Sequence, residues 1–345
     1  MAKTTIAIVH GDPAGIGPEL LIKLLSDKKT TDRANILVIG DPKVFLRGEN
    51  TVGYQIENVR HITNIKNLNF SNCNINHLDI NFEGIDGVPT AAVSATGGAS
   101  TIGGLHRALE LSKNDYVAGI VFMPFNKESM HLGGNDFNDE LGYASQFFKL
   151  KTRASEFNFA NGMWNSRVTS HVAMKDVHNL LNEDLICEEI ALTNQTLELA
   201  GYDRPRIVVS AYNPHAGDGG LMGREEIDVI APAIKRMKQK QISVNGPLPA
   251  DTLWLKVRDG EYDAVVTMYH DQGQIAIKLL GFDRGVTILA GLPIPITTPA
   301  HGTAFDIAGQ NKANIVPTQN AFIMAVNMAE HRKSTDGVVS NQNEY

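Results

Sequence analysis

RIVVSAYNPHAGDGGLMGREE, residues 206–226, passes from an apolar run into a glycine-rich loop and then into a helical pattern. The opening run is dense in Val and Ile and does not alternate with polar residues. Such a run suits a strand covered on both faces. Four glycines then surround His215, which fits a rigid ligand loop with close backbone approach better than it fits a linker. An amphipathic segment, Glu225–Gln239, follows. The same succession recurs along the chain. Runs predict strands at Thr5–His10, Ile36–Gly40, Val117–Met123, Arg167–Met174, Arg206–Tyr212, Ala264–His270 and Val286–Leu289. Amphipathic segments predict helices at Pro18–Asp27, Thr101–Ser112, Glu188–Ala200, Glu225–Gln239, Ala250–Arg258 and Ala321–Arg332. Alternation of this kind predicts an α/β protein with a largely parallel sheet. Residues 50–100, rich in Asn and Ile with little helical period, predict short strands, in part antiparallel, or an excursion from the main sheet. The polar last twelve residues predict a frayed tail.

Three histidines stand at the ends of such runs: His171 in RVTSHVAM, His215 in the stretch above and His270 in YDAVVTMYHDQG. The carboxyl ends of strands in an open α/β sheet border the crevice where ligands bind. Three imidazoles from separate strands are able to share one divalent metal and leave a coordination position for substrate. The competing explanation is that each histidine serves a local backbone hydrogen bond.

Composition limits the alternatives. The chain has 345 residues, 43% hydrophobic and 20% charged, which is enough for two packed domains. A net charge of −7 argues against an electrostatic grip on nucleic acid. Cys73 and Cys187 supply neither a disulfide framework nor a CxxC zinc site. MAKTTIAIVHGDP reads as a first strand, not a signal peptide, and no apolar run reaches membrane length, so a cytoplasmic protein is expected.

Other motifs carry polar groups at run ends. GDPAGIGPEL (11–20) follows the first run and opens a helix. Its backbone N–H groups are able to hold an anion, and a purely structural turn explains it equally well. MPFNKESMHLGG (123–134) places Asn126 and Lys127 at a strand end. Asn138-Asp139-Glu140 follows. In GPLPADTLW, Asp251 is placed to cap the next helix. In YHDQGQIAIKLLGF, Asp271 is placed to orient His270, and Lys278 to meet a carboxylate or phosphate. The loop 290–314 is crowded with small residues suited to closing around a flat cofactor.

Taken together, GDPAGIGPEL, PFNKESMHLGG, TSHVAM, NPHAGDGGLMGREE, GPLPADT, YHDQGQIAIKLLGF, AGLP and HGTAFDIAG resemble the motifs of the 4-hydroxythreonine-4-phosphate dehydrogenase family, in the family's order. HGTAFDIAGQNKAN also looks like the NAD loop of isopropylmalate and isocitrate dehydrogenases. The resemblance implies their two-domain α/β/α fold and an obligate homodimer with a shared active site. It implies a divalent metal (zinc, magnesium or cobalt) on His171, His215 and His270. It implies NAD or NADP held by Gly302, Thr303, Asp306, Gly309 and Asn311, and substrate-site roles for Lys278 and Asp251. The implied reaction oxidises a secondary alcohol β to a carboxylate, with decarboxylation. The domains expected are 1–125 with 285–333 for cofactor and 126–284 for metal, substrate and dimerisation, with 334–345 a flexible tail.

The chain departs from the family pattern on the substrate side. Asn138 and Asp139 stand where a histidine and threonine are expected. Thr287 replaces an asparagine, and Ile296 replaces an arginine of the phosphate grip. Losing that fork should cost several kcal/mol with a dianionic ligand. The expectation is therefore a hydroxy-acid dehydrogenase with an altered phosphate pocket, with a dehydrogenase of an unphosphorylated hydroxy acid or a cis-dihydrodiol carboxylate as the alternative. The rivals are a metal-dependent hydrolase and an inactive hydroxy-acid-binding protein.

Overall fold

A computed structural model describes residues 3–137 and 139–342, with side chains through Ser334. The chain divides into two compact units: Met1–Lys149 with Leu292–Tyr345, and Leu150–Gly291. The crossing points lie later than the 125/126 and 284/285 expected.

The first unit holds strands β1 (Thr5–Val9), β2 (Asn35–Gly40), β3 (Val59–Ile62), β4 (Ile75–Asp79), β5 (Gly119–Phe122) and β12 (Ile296–Pro299). Its helices are α1 (Gly17–Ser26), α2 (Lys28–Thr31), α3 (Pro42–Val52), α4 (Ala95–Lys113), α5 (Lys127–Leu132), α6 (Glu140–Phe148) and α12 (Val316–Gln342). The strand order is β3-β4-β2-β1-β5-β12, and every pairing is parallel. The segment 50–100 does supply the short strands expected, β3 and β4, but they pair in parallel within the sheet, so neither the antiparallel pairing nor the alternative of an excursion holds. Its strands are short because asparagines interrupt the apolar runs. β1 and β2 are almost wholly buried, as continuous runs should be. Gly98 lets α4 meet α5, since a Cβ there would fall on the Ser129 carbonyl. This packing places α5 with the first unit, and His106 Nδ1 of α4 stands 2.9 Å from the Tyr143 hydroxyl of α6. The helix α12 continues through Gln342, although Gly337, Val338 and Val339 are poor helix formers.

The second unit holds β6 (Ser155–Ala160), β7 (Met163–Arg167), β8 (Ile207–Ser210), β9 (Val244–Leu248), β10 (Ala264–Thr267) and β11 (Val286–Ala290). Its helices are α7 (Met174–Leu180), α8 (Glu183–Leu199), α9 (Ala231–Gln239), α10 (Ala250–Arg258) and α11 (His270–Gly281). The order is β11-β6-β7-β10-β8-β9. β6 pairs antiparallel with both β11 and β7, and the remaining pairs are parallel. The expected strand Arg167–Met174 is misplaced: the strand is MWNSR, ending where the prediction began. Asn165, Ser166 and Arg167 are buried strand residues, which an apolar criterion passes over. A core cluster including Met163, Val208, Leu253, Trp254, Val257, Val265 and Ile277 lies under α10 and α11.

Candidate active site

In the second unit, β7, β10 and β8 are neighbours and run parallel, so their carboxyl ends open on one edge. His270 is the first residue of α11, directly beyond β10. His171 lies in the loop after β7, and His215 in the loop after β8. The β7–β10 ladder continues past the strands. The Val168 N–H donates to the Thr267 carbonyl (2.8 Å), and Thr169 donates through its N–H (3.2 Å) and its hydroxyl (2.8 Å) to the Met268 carbonyl. That extension carries His171 up beside His270, with ring centroids 5.5 Å apart. Both rings line a cavity of about 170 Å³ with Thr169, Ser170, Tyr269 and Asp271.

Asp271 Oδ1 lies 2.7 Å from His270 Nδ1. A carboxylate there accepts Nδ1–H and leaves the Nε2 lone pair available to a metal. The expected orienting role of Asp271 thus has its geometry. His171 and His215 both have φ of +52°, a left-handed conformation uncommon outside glycine. Each such residue costs about 1–2 kcal/mol, and backbone strain of this kind collects at functional sites. His215 itself does not line the cavity. Its loop is pinned by Glu226, a buried carboxylate whose Oε1 accepts the N–H groups of Tyr212 (2.8 Å) and Asn213 (2.7 Å). Gln272 ties the loops after β8 and β10 together. Its Oε1 accepts the Met268 N–H (2.8 Å) while its Nε2 donates to the Ala211 carbonyl (2.6 Å). Neither role was read from the sequence. The available signal was an acidic or amide residue just inside a helix, after the glycine loop for Glu226 and after β10 for Gln272.

The other candidates are scattered. Lys278 lies eight residues along α11 from His270, about 12 Å of helix rise, and is exposed near the Phe282 ring. Asp251 is exposed in the first turn of α10 and makes no capping bond, so the capping expectation fails; Pro249 occupies the N-cap. Thr287 on β11 accepts from Asn158 Nδ2 at 3.2 Å, and Asn158 Oδ1 in turn accepts from the buried Arg167 at 2.7 Å. In the first unit, Asp139 caps α6, its Oδ1 accepting the Gly142 N–H (2.8 Å), and Asn126 caps α5. Lys127 is exposed. Ile296 is fully buried in β12. Asn138 lies outside the described residues.

The loop that follows β12 is built on the GDPAGIGPEL turn. The Ile16 N–H donates to the Thr303 carbonyl (3.0 Å), and a Cβ on Gly15 would collide with Thr303. The N–H groups of Asp12, Ala14, Gly15 and Ile16 all have internal acceptors. The anion-cradle reading of this turn therefore gives way to the structural one. Burial raises the Asp12 carboxyl above its usual range, against the opposing Ala14 and Ser129 hydrogen bonds. Glu19, buried in α1, accepts the N–H groups of Ala313 (2.7 Å) and Asn311 (3.2 Å). Lys23 donates to the carbonyls of the same two residues. The loop is thus fixed at its base, while Gly302, Asp306, Gly309 and Asn311 remain exposed. A Cβ on Gly302 would meet nothing within 4 Å, so the fold itself does not demand glycine there. Thr303 is buried. Burial lowers the His301 imidazole below its usual range.

A family sequence model described as "Pyridoxal phosphate biosynthetic protein PdxA" matches residues 32–327. The chain belongs to the PdxA family. A Pseudomonas aeruginosa relative, provisionally named 4-hydroxythreonine-4-phosphate dehydrogenase 2, is 46% identical over 330 residues, covering 95% of this chain and 97% of its own. A Salmonella typhimurium relative named D-threonate 4-phosphate dehydrogenase is 35% identical, covering 95% of this chain and 100% of its own. The crystal structure of 4-hydroxythreonine-4-phosphate dehydrogenase from Klebsiella pneumoniae superposes with a TM-score of 0.83 at 35% identity, over 95% of this chain and 98% of that one. PdxA membership makes the chain an oxidoreductase acting on CH–OH. Among the described residues, no helix is long and apolar enough to cross a membrane.

Proposed function

We propose that this PdxA-family chain is a metal-dependent, NAD(P)-dependent dehydrogenase of a four-carbon hydroxy-acid 4-phosphate, of the D-threonate 4-phosphate type. The observation that carries the reading is the single edge at which three adjacent parallel strands present His171, His270 and His215. The donor set fits a divalent ion: the Asp271 contact favours a free His270 Nε2, and His171 stands beside it. An all-imidazole set suits zinc or cobalt better than magnesium, which prefers oxygen ligands. A metal bound there would supply Lewis-acid activation of a substrate hydroxyl. The chain's own residues do the positioning. Asp271 holds the His270 tautomer, Gln272 holds the His270 and His215 loops at one spacing, and Glu226 keeps the strained His215 loop from relaxing. NAD or NADP, on the loop fastened by Glu19, would accept hydride. Oxidation β to the carboxylate gives a β-keto acid, which loses CO₂ readily.

The homodimer is part of this proposal. Ile275, Leu279 and Phe282 form an exposed apolar stripe on and just beyond α11, with Leu279 82% exposed. A second copy would bury that stripe and bring Lys278, beside it, to the margin of the shared site.

Two relatives named for 4-phosphate substrates, matched over nearly their full length, favour a phosphorylated substrate over the unphosphorylated one weighed from sequence. The changed residues Asn138, Asp139 and Thr287 favour a compound other than 4-phosphohydroxy-L-threonine. The test compares kcat/KM for D-threonate 4-phosphate, 4-phosphohydroxy-L-threonine and unphosphorylated threonate at fixed cobalt and NAD, followed by reduced-cofactor absorbance. The order given is expected. Turnover of threonate exceeding both phosphorylated compounds would overturn the substrate reading.

A further inference from the structure

The parallel register of the first unit sets His61 of β3 directly opposite His77 of β4, with Asp79 two residues on along β4. The two imidazoles lie side by side, ring centroids 4.9 Å apart. Asp79 Oδ1 stands 2.6 Å from His77 Nδ1 and 2.9 Å from His61 Nδ1. One ligand atom from each residue lies within 4.8 Å of the other two. We propose that His61, His77 and Asp79 form a second divalent transition-metal site, of the zinc or cobalt class, separate from the three strand-end histidines.

Two further observations set this cluster apart from a surface ion pair. The first is the support behind His77. A metal on Nδ1 requires the His77 proton to sit on Nε2, and His10 Nε2 stands 2.9 Å away to accept it. His10 then carries its own proton on Nδ1, which is buried without a hydrogen-bond partner among the described residues. The second is the room made for that support. Gly40 has φ of +157°, and a Cβ there would come within 2.6 Å of the His10 ring. The edge of Phe45 packs against His77 and His61, holding both rings in place.

The chemistry balances. In the metal-free chain two N–H groups converge on one carboxylate oxygen. A dication takes the two Nδ1 positions, and each ring keeps one proton by moving it to Nε2: His61's passes through solvent, and His77's turns toward His10, whose own proton moves from Nε2 to Nδ1, leaving two neutral imidazoles and one carboxylate around the ion. Metal–ligand bonds of about 2.0–2.2 Å place ligand atoms roughly 3.3 Å apart, so each imidazole nitrogen draws back from Asp79 Oδ1 by about 0.4–0.7 Å to admit the ion. His77 is buried, while His61 is 45% exposed and leaves a path for entry and for completing water ligands. Because β3 is the edge strand, an ion here would staple that edge to β4.

Tag-free full-length protein dialysed against cobalt(II), then analysed for bound metal and for thermal unfolding with and without cobalt, tests the site. His215→Ala removes the other proposed site, so the decisive comparison is His215→Ala with and without His61→Ala. We expect His215→Ala to bind about one cobalt per chain with an upward Tm shift, and the double variant to lose both the ion and the shift. His61→Ala alone should keep dehydrogenase turnover within about twofold. His61→Gln, which retains a hydrogen bond to Asp79, should lose the ion equally and guards against a folding artefact. Cobalt bound by the double variant as well as by His215→Ala, or no cobalt bound by folded His215→Ala, would overturn the proposal.

Discussion

Glu19→Ala removes the fastening of the proposed cofactor loop at a point remote from any reacting atom. The buried carboxylate accepts two backbone N–H groups, from Ala313 at 2.7 Å and Asn311 at 3.2 Å. Hydrogen bonds to charged groups contribute about 1.5–3 kcal/mol each, so the pair amounts to about 3–6 kcal/mol, and the variant leaves the buried Ala313 N–H without an acceptor. Lys23, 3.3 Å from Glu19 Oε1, keeps its bonds to the Asn311 and Ala313 carbonyls, which limits the collapse. If even about 2 kcal/mol of that loss appears as loop disorder, NAD affinity falls by about 30-fold. Isothermal titration with NAD and thermal unfolding read the two components separately. We expect a lower Tm and a weakened NAD Kd, with metal content unchanged. An unchanged Kd in a variant whose Tm has fallen would show that the loop does not hold the cofactor.

Three further outcomes follow from the geometry. Gly302→Leu should fold with an unaltered Tm, because its side chain meets open space, yet weaken NAD binding at least tenfold; equal affinity would remove Gly302 from the cofactor site. His215→Gly should abolish turnover with a Tm no lower than the parent, because glycine relieves a left-handed φ of +52°; a Tm drop of several degrees would mark His215 as a fold element. Burial pushes Asp263 up, but its hydrogen bonds from Arg206 outweigh this and hold it below the usual carboxylate range. A depressed folded value adds stability that is present above the unfolded value of about 3.9 and fades as pH falls through the folded one. Acid denaturation of Asp263→Asn should therefore show a smaller loss of Tm below about pH 4 than the parent, and parallel curves would refute the assignment.

Continuous apolar runs made β1, β2, β5, β8, β10 and β11 legible, because a strand buried on both faces needs them. Where buried strands carry polar residues the criterion failed. Asn165, Ser166 and Arg167 fill β7, and their partners Thr267, Thr193, Glu156 and Asn158 lie on other elements. The strand-end histidines were legible individually, but their shared edge depends on the order β7-β10-β8, which no local pattern encodes. GDPAGIGPEL suggested an anion cradle because its glycines and proline fit one. The Pro124 and Thr303 carbonyls, brought close by the fold, and Asp12 within the turn itself already accept its N–H groups. Asp251 looked like a cap because it follows a proline turn, but the helix begins at Ala250, as its amphipathic pattern predicts, which puts Asp251 inside the first turn and exposed. The facing of His61 and His77 likewise needs the β3–β4 register.

The central claim is that His171, His215 and His270 hold one divalent ion. An anomalous-difference map from crystals of the full chain grown with zinc tests it most directly. The account predicts a peak about 2.0–2.1 Å from an imidazole nitrogen of each of the three, with one or more contributed by a second copy of the chain. Crystals whose only anomalous peaks lie elsewhere, with these three imidazoles turned apart in every pairing of subunits, would contradict it.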